Sequence, residues 1–174
     1  MGLFDKVFSR RPASLEQIDA FKQELKNEVD TIFLNTGKHI NNYASEIDDI
    51  FLDIYNNEKK WIICSLFVFG YAISIGEKYK LSKEEISDNY LLYLTDGDFS
   101  QTMRSLIVAE KTNFEMEEKC LTMIAYDFKN KKWQGSKDAH DVLIQGQLAS
   151  KDEKKNHRRL LNIIMYCNKN NIDL

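Results

Sequence analysis

The sequence has little to turn with. Its 174 residues include one proline and seven glycines, too few for the many tight turns of an all-β protein. Its three cysteines, Cys64, Cys120 and Cys167, are an odd number, and the closest two are 47 residues apart. Neither a disulfide framework nor a zinc site of short-spaced cysteine pairs is indicated. His39, His140 and His157 are as scattered, and the Glu-x-x-His tetrapeptide of di-iron helical bundles does not occur. The glycines form no cluster through which backbone N–H groups could cradle a phosphate, and no G-x-S-x-G elbow is present. No metal and no cofactor are expected from these patterns. The opening MGLFDKVFSRRP holds no uninterrupted apolar stretch of the ~7–15 residues a secretory signal needs. Lys6 stands where the myristoylation pattern calls for Ser or Thr. Free buried thiols in a reducing compartment, and hence a cytoplasmic location, are the expectation.

What is present describes a folded chain. Apolar residues make up 43% and charged residues 29%, which excludes a disordered polymer and suits one domain with its own core. The net charge of −3 is unevenly spread. Residues 1–13 carry +2, residues 14–128 carry −10, and residues 129–174 carry +5. An acidic body with basic ends argues against a surface that grips nucleic acid all over, and leaves open a partner that meets one charged face. Residues 1–13 read as a flexible basic, amphipathic segment, with Leu3, Phe4, Val7 and Phe8 beside Arg10 and Arg11. Residues 14–174 read as a single helical domain.

The periodicity is helical throughout. Leu15, Ile18, Phe21, Leu25, Val29, Ile32 and Phe33 recur three or four apart, behind a capping-box pair, Ser14 and Gln17. Gly37 offers a stop, after which Ile40, Tyr43, Ile47, Ile50, Phe51 and Ile54 repeat the pattern, either as a second helix over 39–57 or as one long kinked helix. Residues 61–75, WIICSLFVFGYAISI, are apolar at twelve of fifteen positions. A helix hydrophobic all round must be enclosed, and fifteen residues at about 1.5 Å each fall short of a ~30 Å bilayer core. The segment is therefore expected at the centre of the domain, with Ser65, Gly70 and Ser74 letting neighbours approach closely. Ser82 with Glu85 opens a helix to about Leu94. The turn Thr95-Asp96-Gly97-Asp98 follows, lacking the acids an EF-hand loop requires. Phe99, Met103, Leu106 and Ile107 mark the next helix, Thr112 with Glu115 another, and a lysine-rich break spans 129–137. Ala139, Val142, Leu143 and Leu148 then form a short helix, and Ser150 with Glu153 caps the last. The sum is an all-α domain of about six to eight helices around the buried helix 61–75.

Two features point to interaction. In the 39–57 segment Glu46, Asp49 and Asp53 fall on one face, and no lysine or arginine interrupts residues 39–58. Like charges at that spacing disfavour a helix by a few tenths of a kcal/mol each, so a negative stripe without counter-charge can be read as a surface for a basic partner protein, or as a solvated face that keeps the protein soluble. Size, acidity and the lack of catalytic motifs match inhibitors and immunity- or antitoxin-type neutralisers as a class. The second feature is basic. Lys131, Lys132 and Trp133, with Arg158 and Arg159, could grip phosphate backbones with Trp133 as a stacking platform, or could pair with the acidic body of the same molecule. A third reading is an enzyme whose site, built from scattered acids and His140, is assembled only by folding. The homo-oligomeric state is left open.

Overall fold

The computed structural model describes residues 12–42, 57–106, 114–152 and 156–169, with the side chains of Asn41 and 167–169 outside that description. These residues form seven α-helices and one 3-10 turn, with no strand among them. The helices are α1 (Leu15–Asn42), α2 (Glu58–Lys78), α3 (Lys83–Thr95), α4 (Asp98–Arg104), α5 (Phe114–Lys129), α6 (Lys137–Ala149) and α7 (Asn156–Lys169). The 3-10 turn, Lys132–Gly135, links α5 to α6. The all-α architecture expected from the periodicity is the one observed, with α2 as its apolar centre.

α2 is longer than the apolar run that defines it. Asn57 caps its start by accepting from the Lys60 N–H at 3.3 Å, so the charged flanks Glu58–Lys60 and Glu77–Lys78 are helical too. Its 21 residues span about 31 Å, which overturns the length argument against a membrane crossing. In the fold, 78% of its most apolar 18-residue window is covered by the other helices. The aromatic residues Trp61, Phe67 and Tyr71 are buried to 1% exposure or less.

α2 and α6 touch backbone to backbone. A Cβ built on Gly70 would stand 2.0 Å from the Leu143 carbonyl oxygen, and one on Gly146 would stand 2.0 Å from that of Phe67. The two glycines thus remove reciprocal obstacles at one crossing. The Ser74 hydroxyl extends it, donating to the Gln147 carbonyl at 3.4 Å. Leu148, expected in the core, is 40% exposed, because Gly146 and Ala149 form the inner edge of α6 in its place.

Gly37 does not stop α1. The helix runs on to Asn42, and the glycine serves close packing: a Cβ there would meet the Ser105 carbonyl oxygen. Ser14 and Gln17 do make the reciprocal capping box, with bonds of 2.9 and 3.2 Å. Leu15 lies outside the core face. Ser82 and Glu85 form a second complete box at the start of α3. Ser150 ends α6 rather than opening a helix; its hydroxyl donates to the Gln147 carbonyl at 2.7 Å. Its proposed partner Glu153, and Thr112 of the other expected box, lie outside the described residues. Gly97 adopts φ 88° as the cap of α4, and Asp98 pairs with Lys26 of α1.

Candidate functional site

The acidic candidates Glu46, Asp49 and Asp53 lie outside the described residues. The two helices that bracket them are firmly seated. Ile40, in the last turns of α1, has no exposed surface, and Lys60 and Trp61, at the start of α2, are as deeply buried.

The basic candidates fall in two places. α5 ends as Lys131 takes a left-handed conformation, φ 53°, and its side chain stays exposed. Lys132 pairs with Asp127 at 3.0 Å and lies over the Tyr126 ring at 4.6 Å. Trp133 is half-buried and packs edge-on against Phe69 at 5.5 Å, and tilted against Phe128 at 6.1 Å. Its indole completes an aromatic group in which Phe69 also meets Tyr90 at 5.0 Å and Phe128 at 5.1 Å. On α7, Arg158 is exposed, while Arg159 reaches Asp152 at 3.7 Å and donates to the Gln145 side-chain oxygen at 3.2 Å. Two of the four cations are thus turned onto groups of their own molecule.

The fold assembles one polar cluster that sequence reasoning did not single out, along the inner flank of α1. Glu24 accepts from Lys78 through both oxygens at 2.8 Å and from the Tyr79 hydroxyl at 2.5 Å. Glu28 accepts from the Tyr71 hydroxyl. Asp30 accepts from the Thr102 hydroxyl, which is also bonded to the hydroxyl of Tyr93 at 2.7 Å. The signal was present as Glu24 and Glu28, two acids four apart on one helix, the same spacing as Asp49 and Asp53 in the acidic stripe. Ala20, Gln23, Asn27, Lys78 and Tyr79 border the two glutamates in an open groove.

The electrostatics of this cluster suit holding rather than proton transfer. Partial burial pushes the Glu24 carboxyl up, but the bonds from Lys78 and Tyr79 outweigh it and hold it below the usual carboxylate range. The same carboxylate raises the Lys78 ammonium and the Tyr79 phenol above theirs. Each group moves away from neutrality, whereas a general acid or base works best with a pKa near the operating pH.

Other chemistry is scattered. His140 is exposed on α6. Cys64 and Cys120 are buried, and burial pushes the Cys120 thiol up to about 11. Cys167 lies outside the described side chains. A second open groove runs along the outer face of α5, lined by Glu115, Glu118, Lys119, Thr122, Met123 and Tyr126; Lys119 there pairs with Glu58 of α2. Among the described residues no three His, Cys, Asp or Glu side chains converge as metal ligands would. No family model matches the chain, and no curated protein or solved structure matches it either.

Proposed function

We propose that this chain is a cytoplasmic, non-enzymatic protein-binding module that neutralises a basic partner protein through the face carrying Glu46, Asp49 and Asp53. The observation that carries the reading is the run from residue 39 to 58, which holds these three acids and no lysine or arginine. Three of the five acids of the long first helix, Glu24, Glu28 and Asp30, each receive a hydroxyl or ammonium donor from within the molecule. The described helices on either side of the run are seated in the core, at Ile40 and Lys60. Complementary charge would also speed the encounter, and make it sensitive to salt.

The test is charge reversal. Full-length protein and a triple variant, Glu46→Lys, Asp49→Lys and Asp53→Lys, are matched for circular dichroism and thermal midpoint. Each is then used to capture partners from native lysate at low and at physiological salt. The wild type should retain a basic protein that the variant releases, and raising the salt should weaken the wild-type complex. If the variant keeps every partner the wild type keeps, the assigned face is wrong.

A further inference from the structure

We propose that His39 and His157 form an acid-sensitive latch between α1 and α7. The two rings lie 6.2 Å apart, centroid to centroid, and are tilted by 55°. They sit where the last turns of α1 meet the first turn of α7. From α1, the buried Thr36 hydroxyl, which donates to the Ile32 carbonyl of its own helix at 2.7 Å, also reaches the His157 carbonyl at 3.3 Å. With both rings neutral, this is an ordinary packed contact.

Protonation changes its sign. A charge on His157 would stand beside Arg158 and in the first turn of α7, at the positive end of the helix dipole. From α1 it would face His39, with Lys38 next in sequence and no acid between Asn35 and Asn42. From the turn after α6 comes Asp152, whose carboxylate is directed to Arg159, and from α6 itself the neutral Gln145. α2 also packs against α7. Of the charges at its start, Glu58 is engaged by Lys119 of α5, and the other two, Lys59 and Lys60, are cations. Burial, then His39 and Arg158, depress the proton affinity of His157 below that of an ordinary imidazole.

The direction of the pH effect follows. A histidine that binds its proton less readily folded than unfolded stabilises the fold above the ordinary value of about 6.5. That stabilisation is lost as pH falls below it, and the loss levels off beneath the depressed folded value. Acid therefore loosens the seat of α7, whose inner face is Leu160, Leu161 and Ile164.

Imidazole proton resonances of the full-length protein are followed by NMR from pH 8 to 5. Thermal midpoints are measured at pH 7.5 and 5.5 for wild type and His157→Gln. His157 should titrate below the ordinary imidazole value of about 6.5. His157→Gln should lose fewer degrees on acidification than wild type, by about 3–5 °C for each factor of ten in depressed proton affinity. The latch is overturned if His157 titrates at or above about 6.5, or if His157→Gln loses as much as wild type. Should His157→Gln fail to fold, the titration of the unsubstituted chain decides alone.

Discussion

Alanine at Gly70 tests the central packing claim with the smallest available change, one methyl group. At an ordinary helix position Gly→Ala stabilises by about 1 kcal/mol through backbone entropy. At Gly70 the added carbon would begin 2.0 Å from the Leu143 carbonyl oxygen and 2.8 Å from its carbon. Ordinary contact starts near 3.4 Å, so α2 and α6 must part by more than 1 Å. Neither obstacle is a side chain that can swing away. A gap of that size forfeits about a quarter to a half of the dispersion well of the atoms lining it, and overpacking of this kind costs about 1–3 kcal/mol or more. After the entropic gain, a net loss of about 1–3 kcal/mol is expected, or roughly 3–10 °C in thermal midpoint for a chain of this length. Gly146→Ala should match it, since its added carbon would strike the Phe67 carbonyl at the same distance. The double variant should lose less than the sum, because helices already parted by one methyl admit the second more cheaply. Gly135→Ala is the control, with nothing within 4 Å of its added carbon, and should melt no lower than wild type. Differential scanning calorimetry of the four variants beside wild type is sufficient. A Gly70→Ala protein as stable as wild type would show that the two backbones do not meet as described.

Three further outcomes are expected. Tyr90→Phe removes the buried hydroxyl that donates to the Ser65 carbonyl at 2.5 Å, and should lower stability by about 1 kcal/mol in urea titrations. Glu24 has a depressed folded pKa, so the stability it adds is present above the unfolded value of about 4.3 and lost as pH falls through the folded one; the advantage of wild type over Glu24→Gln should shrink between pH 7 and pH 3 in the same titrations. The Cys120 thiol, raised to about 11 and without exposed surface, should resist maleimide at pH 8 in the native protein. Peptide mapping should find it labelled only once the chain is unfolded.

How much of this was legible beforehand differs by element, for physical reasons. Residues 61–75 announced a central helix because twelve apolar residues in fifteen leave no face for water. Ser82 with Glu85, and Ser14 with Gln17, announced helix starts because capping is local chemistry within four residues. Glycine was harder to read. Gly37 and Gly146 look alike as letters, and a glycine can end a helix or let a neighbour in close. Both turned out to do the second, which only the partner backbones at Ser105 and Phe67 reveal. The missed place of Leu148 follows from the same cause: once Gly146 faces inward, a residue two positions on is turned outward. The α1 cluster was invisible because Glu24 meets Lys78 and Tyr79 across more than fifty residues. The acids Glu46, Asp49 and Asp53 remain a pattern in sequence, bracketed by helices whose seating is now known.

Glu85 is more than the closing half of a capping box. One oxygen takes the Ser82 N–H at 2.7 Å, and the other takes the N–H of Ala13, 72 residues upstream, at the same distance. A single carboxylate therefore moors the lead-in of α1 to the first turn of α3. Tension applied from upstream of Pro12, by a fused tag or a bound surface, would be borne first by that mooring and by Gln17, whose amide donates to the Tyr79 carbonyl, before any apolar side chain is drawn out of the interior.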